Sequence, residues 1–239
     1  MPQGLGAGIL EAMSTPLPTS ETWLLIPLYN ESAVIGEVIR EARQTFPNIV
    51  CVNDGSTDGS GEAAEAAGAI VINHPINLGQ GAALQTGLDF FKFHTDGKYC
   101  VTFDADGQHR VADALEMVRL ADHDNLDIVF GSRFRAEKVE ANWLKTIVLR
   151  ATAWASRRST GIKLTDTHNG LRLISRRAAE IVELRHNRMA HATEIVTQLA
   201  RSGLPWAEIP VYIRYTDYSR SKGQSMLNSI NIVVELLFS

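Results

Sequence analysis

Cysteine is scarce in this sequence. Its 239 residues contain two, Cys51 and Cys100, with no CxxC and no Cys/His spacing of the kind that holds zinc. A disulfide framework and a structural zinc are therefore excluded. Each thiol sits inside an apolar run, 49–52 and 99–103, which predicts buried free thiols in strands and a reducing compartment. Long hydrophobic runs are also absent: none reaches the roughly 20 residues needed to cross a bilayer. The first 22 residues lack a basic start and a long apolar core, which predicts a loose tail over 1–22 rather than a signal peptide. Nor is there an excess of positive charge. Lys plus Arg is 23 against 27 Asp plus Glu, a net charge of -4, so nucleic acid is not expected as a partner. A cytoplasmic protein is the expectation. Apolar residues make up 45% of the chain, enough for a core and too many for a disordered chain.

Short β-branched runs alternate with helical patterns. Strands are predicted over 23–27, 49–53, 69–73, 99–103 and 127–130. Helices are predicted between them over 33–45, 61–67, 79–92 and 112–121. In 33–45 the apolar positions Val34, Ile35, Val38, Ile39 and Ala42 follow a helical period. This alternation predicts an α/β fold with a mostly parallel sheet, flanked by helices and joined by right-handed crossovers. After Gly131 the rhythm breaks. A long helix over 142–156, a short strand over 171–174, a helix over 190–202 and a strand over 207–215 are expected, then a polar, basic loop over 215–223. The simplest division is one domain over 23–225 with an irregular second half, followed by an amphipathic helix over 226–239. In the latter, Met226, Leu227, Ile230, Val233, Val234 and Leu237 share one face.

Ligands of open α/β sheets bind at the carboxyl ends of the strands. The stretches just after the predicted strands are polar or glycine-rich: 30–31, 53–58, 77–81, 104–109 and 132–133. Turn chemistry accounts for any one of them, but not easily for five at one sheet edge. Asp104-Ala105-Asp106-Gly107-Gln108-His109 sets two carboxylates and an amide oxygen at alternate positions, a donor set for Mg²⁺ or Mn²⁺ shared with a diphosphate. The stretch from Asp54 to Glu65 nearly fits a calcium loop, but a strand pattern precedes it where a helix is required. It reads better as a strand-end loop that meets a nucleoside through Asp54. Asn77-Leu78-Gly79-Gln80-Gly81 begins like a dinucleotide fingerprint, but Leu84 stands where the third glycine belongs. Small residues opening a helix there leave room for an anion to approach the backbone. Arg133, Arg172, Arg214, Arg220 and Lys222 carry phosphate-binding chemistry.

In order along the chain, Pro27-Leu28-Tyr29-Asn30-Glu31, Asn53-Asp54-Gly55-Ser56-Thr57-Asp58, Asp104 to His109, and Gly131-Ser132-Arg133-Phe134 resemble the inverting glycosyltransferases of family 2. Asp166 with Gly170-Leu171-Arg172, Glu194, and Gly203 with Glu208 to Val211 extend the likeness over about 24–225. The closer resemblance is to polyprenyl-phosphate sugar synthases of the dolichol-phosphate mannose synthase type. It implies a GT-A fold and a UDP- or GDP-sugar donor. Pro27, Tyr29, Asn30, Glu31, Asp54, Asn77, Gly79, Asp104, Ala105 and Asp106 would bind that donor. Asp104, Asp106 and Gln108 would hold the metal. Arg133, Arg172, Arg220 and Lys222 would take the diphosphate or acceptor phosphate. Asp106, Arg133, Glu194 and Asp166 would form the catalytic set.

Many members that act on saccharides carry a Glu-Asp pair, but here Ile195 follows Glu194. A sugar hydroxyl needs a base, whereas a phosphate monoester, with a second pKa of about 6, does not. The pattern therefore favours a polyprenyl phosphate acceptor over a saccharide hydroxyl. If a hydroxyl is the acceptor, Glu194 or Asp166 is the candidate base. A nucleotidyltransferase and a non-catalytic nucleotide-sugar-binding subunit are the competing classes. Peripheral contact of 226–238 with the cytoplasmic face of a membrane, a small membrane partner and a homo-oligomer are left open.

Overall fold

A computed structural model describes residues 18–133, 164–187 and 190–214. The predicted helices over 142–156 and 226–239, the loop over 215–223 with Arg220 and Lys222, and most of the N-terminal tail lie outside the described residues.

Four parallel strands build the first half: β1 (Thr22–Leu28), β2 (Asn48–Asn53), β3 (Ile70–Asn73) and β4 (Tyr99–Thr102). Helices α1 (Ile35–Arg43), α2 (Ser60–Ala66) and α3 (Gln80–His94) alternate with them. In α1 the buried residues are Ile35, Val38, Ile39 and Ala42, the stripe that the sequence period marks. Helix α4 (Val111–Asp124) leads to β5 (Ile128–Ser132). The second half adds β6 (Arg172–Ser175), the single-turn α5 (Arg176–Ala179), α6 (His191–Arg201) and β7 (Trp206–Pro210).

The seven-stranded sheet has the order β3-β2-β1-β4-β6-β5-β7. Strand β6 is inserted antiparallel between β4 and β5, with Arg172 opposite both Thr102 and Phe130. A core lies on each face. Leu24, Ile26, Ile39, Phe46 and Met117 belong to one, and Leu25, Leu88, Phe91, Ile174 and Ile195 to the other. Burial on both faces explains the unbroken apolar runs of the central strands. Both thiols are buried and free, and burial pushes Cys51 up to about 12, so neither is a nucleophile.

The strand predicted over 207–215 is shorter. It leaves the sheet after Pro210, and the chain crosses toward the 104–109 turn. Val211 N still donates to Ser132 O at 3.0 Å. Then Tyr212 N donates to Asp113 Oδ2 at 2.9 Å and Arg214 N to Gln108 O at 2.9 Å.

Candidate active site

The carboxyl ends of β1 and β2 are laced together by side chains. Asn30 adopts φ 52°, a left-handed conformation that asparagine tolerates. Its Oδ1 accepts from Thr57 N at 3.0 Å, and its own N donates to Ser56 Oγ at 3.0 Å. Glu31 N donates to Ser60 Oγ at 2.8 Å, and Ser32 N to Asp58 Oδ2 at 3.0 Å. Asp54 is 2% exposed. Its Oδ1 accepts from Leu78 N at 2.9 Å and pairs with His74 Nδ1 at 2.7 Å, while Oδ2 accepts from Gly79 N at 2.7 Å. Tyr29, by contrast, is exposed at the edge.

The end of β4 carries the acid pair. Asp104 Oδ2 lies 2.8 Å from His109 Nε2. Asp106 Oδ1 accepts from Gln108 N at 3.0 Å, across a turn in which Gly107 takes φ 74°. The two carboxyls are driven apart. Burial raises Asp104, yet the charge and hydrogen bond of His109, with the charges of Arg172 and His191, hold it below the usual carboxylate range. Burial and the neighbouring Asp104 charge push Asp106 up. His109 is buried, and its Nδ1 has no hydrogen-bond partner.

Facing this pair are the loop before β6 and the end of β5. Arg133 grips Asp166 bidentately, Nε to Oδ2 at 2.7 Å and Nη2 to Oδ1 at 2.9 Å, with Arg133 N adding 3.1 Å. Burial raises Asp166, but this clamp outweighs it and holds the group ionised. Glu208 on β7 anchors the loop from below, accepting from Thr165 N at 2.8 Å, Thr165 Oγ1 at 2.9 Å and Asp166 N at 3.3 Å. Arg172 is 3% exposed, and burial lowers it to about 10 against the opposing charges of Asp104 and Asp166. Gly170 is pressed on Asp104: a Cβ there would lie 2.5 Å from Oδ2.

Residues 23–182 match the model of glycosyl transferase family 2. The chain belongs to that family. Among its relatives, the UDP-N-acetylglucosamine–dolichyl-phosphate N-acetylglucosaminyltransferase of Methanococcus voltae is 29% identical, over 90% of this chain and 94% of that one. The polyprenol monophosphomannose synthase of Mycolicibacterium smegmatis is 27% identical, over 95% and 88%. A solved structure of Mycobacterium tuberculosis glucosyl-3-phosphoglycerate synthase, with Mn²⁺, UDP-glucose and phosphoglyceric acid, superimposes with a TM-score of 0.57. It is 17% identical and aligns over 93% of this chain and 80% of that one. The fold is GT-A, and the sheet order above is this glycosyltransferase's version of it.

Within that fold the predicted residues separate. Pro27, Tyr29, Asn30, Glu31, Asp104, Ala105, Asp106, Gln108 and Arg133 all stand at the carboxyl ends of β1, β4 and β5. At five of the expected positions the structure supplies partners or burial within the chain itself. Asp54 is turned onto the amides of Leu78 and Gly79 and onto His74. Gly79 and Gly81 do not leave the start of α3 open to an anion. Their missing side chains make room for the backbone of 186–187, and Gly81 N donates to Asn187 O at 2.9 Å. Arg172 lies beneath the site in the sheet and does not close over it. Asp166 is chelated by Arg133. Glu194, 14% exposed, accepts from Arg185 N and His186 N, at 3.1 and 3.0 Å. Burial raises it, but these bonds lower it further.

Three residues support the site in ways that no local pattern signals: His109 beside Asp104, Glu208 beneath the 165–166 loop, and His74 on Asp54.

Proposed function

We propose that this glycosyltransferase moves a sugar from a nucleoside diphosphate sugar to a polyprenyl phosphate, with inversion at the anomeric carbon and with Mg²⁺ or Mn²⁺ at Asp104, Asp106 and Gln108. The observation that carries the acceptor is the state of Asp166 and Glu194. Both candidate bases are committed to internal donors and held ionised below the ordinary carboxylate range. A hydroxyl acceptor would need a base of higher pKa, while a phosphate monoester is already mostly dianionic at pH 7. In the reaction an acceptor phosphate oxygen forms the new bond to the anomeric carbon, and the bond to the nucleoside diphosphate breaks on the opposite side. No proton need be removed from the nucleophile. The two relatives, one a dolichyl-phosphate N-acetylglucosaminyltransferase and the other a polyprenol monophosphomannose synthase, support the same acceptor class.

The donor chemistry of the 104–108 turn fits a hard divalent cation. Burial and the Asp104 charge push Asp106 up, and a dication would relieve the repulsive part. Among the described residues no cluster of three or more His, Cys, Asp or Glu is placed to hold a metal. Two carboxylates and one amide are a sparse set, which suits a cation that keeps several positions for water and phosphate. Such an ion neutralises charge on a departing diphosphate. Arg133 would add fixed positive charge beside it, oriented by the Asp166 clamp.

The test is calorimetric titration with UDP and GDP, with and without Mn²⁺, followed by transfer assays on a polyprenyl phosphate and on the corresponding polyprenol. Metal-dependent binding of one nucleotide and transfer to the phosphate alone are expected. Transfer to the alcohol or to a free saccharide would overturn the acceptor reading.

No helix among the described residues is long and apolar enough to cross a membrane. Peripheral contact through 226–238 belongs to the same proposal, since a polyprenyl phosphate resides in a bilayer.

A further inference from the structure

Glu194 lies on α6, in the second half of the chain, and yet it is tied to the edge of β2 through a continuous set of hydrogen bonds. Its carboxylate receives Arg185 N and His186 N, and His186 Nδ1 lies 3.1 Å from Oε2. One turn along the same helix, Gln198 brackets Glu183, accepting from its N at 2.7 Å and donating to its O at 2.8 Å. The segment 183–187 is therefore pinned from α6. From the other side α3 holds it: Leu184 N donates to Gln85 Oε1 at 2.7 Å, and Gly81 N donates to Asn187 O at 2.9 Å. The fit is close. A Cβ on Gly79 would lie 2.2 Å from Asn187 O, and one on Gly81 would lie 2.1 Å from His186 O. Leu78 N and Gly79 N then donate to the buried Asp54.

A base for a reacting hydroxyl would need a free lone pair and an ordinary or raised pKa. Glu194 instead turns both carboxylate oxygens onto the backbone amides of Arg185 and His186, the bonds of an acceptor that holds a segment in place. We propose that Glu194 is a positioning residue. Through the 185–187 segment it fixes the 76–79 loop beside Asp54, and so sets the affinity for the donor nucleotide. This rests on the donor-site reading above.

The experiment uses the full chain with Glu194→Ala, Glu194→Asp and Gly81→Ala. The first readout is amide hydrogen exchange at Leu78, Gly79 and Gly81 in nucleotide-free protein. Faster exchange by about tenfold is expected in Glu194→Ala, consistent with losing charge-assisted bonds. Glu194→Asp keeps the charge and should restore part of the protection. Gly81→Ala attacks the same contact from the α3 side and should reproduce the effect if Glu194→Ala does not fold. The second readout is nucleotide affinity with Mn²⁺. It should weaken about tenfold, with donor KM rising in parallel and kcat at saturating donor staying within about threefold.

Unchanged exchange at the three amides would overturn the proposal. So would a loss of about a hundredfold or more in kcat with unchanged KM, which would make Glu194 a reacting group. Wild-type protein that binds neither UDP nor GDP would sink the donor-site reading instead, and the exchange measurement would still decide whether Glu194 holds the loop.

Discussion

The fold treats two sets of acids in opposite ways. In the first half of the chain, Asp104 and Asp106 are set side by side, where burial and mutual repulsion raise Asp106. In the second half, Asp166, Glu194 and Glu208 are each supplied with internal donors: a guanidinium, two backbone amides, and a loop threonine with its neighbour. The first arrangement opposes folding and invites a cation. The second supports folding and leaves little for a ligand. Residue type alone does not separate them. What separates them is whether the fold delivers donors to the carboxylate.

The largest expected effect breaks the comparison at its functional end. Asp106→Asn should reduce transfer by about 10²- to 10³-fold, the usual scale for removing one electrostatic contributor to a charged transition state. In chelator-treated protein the same variant should melt at or above the wild-type temperature, because a repulsion has been removed. A clear fall in Tm would place Asp106 with the supporting acids. Next comes Asp166→Asn. It leaves Arg133 without its carboxylate, and a loss of about 2 kcal/mol is expected, below the fully buried range because Arg133 is partly in water. At a chain of this size that is a Tm fall of roughly 4–8 °C.

The Asp166 effect has a definite pH dependence. The clamp holds the folded carboxyl below its unfolded value, so the unfolded chain takes up the proton first as acid is added. The stabilisation is fully present above about pH 4 and is lost as pH falls through the depressed folded value. Wild type and Asp166→Asn should therefore converge in stability below about pH 4. A gap that persists unchanged to lower pH would mean that the clamp is not the source of the difference.

The first half of the fold was legible because its signals are local. Each strand of β1 to β4 is followed within a few residues by its own polar edge, and each intervening helix shows its buried stripe. The second half depends on contacts that no local pattern encodes. The apolar run around Leu173 fits a strand in either direction, and only the pairing of Arg172 with Thr102 and Phe130 makes it antiparallel. Asp166 and Arg133 are 33 residues apart in sequence, so neither announces the other. Gly79 and Gly81 advertise small size, but the reason for it is a backbone more than a hundred positions later. An acid in a motif-like position can thus be recognised from sequence, while its work is assigned by whichever donors the tertiary fold brings to it.

A third kind of acid sharpens this point with the smallest effect. Glu41 on α1 receives both Nη atoms of Arg214 at 2.9 Å, a bidentate geometry as good as that of the Asp166 clamp. The difference is water at the carboxylate: Glu41 is 42% exposed against 2% for Asp166, while the two arginines are alike at 44% and 43%. The segment that carries Arg214 is also held without the pair, by the bonds of Tyr212 N to Asp113 and of Arg214 N to Gln108 O. A double-mutant cycle on Glu41→Ala and Arg214→Ala should therefore give a coupling of only about 0.5 kcal/mol, and less at 1 M salt, where screening acts within a few ångströms. A coupling above about 1.5 kcal/mol that survives salt would show that geometry outweighs burial, and burial would then no longer explain why the two clamps differ.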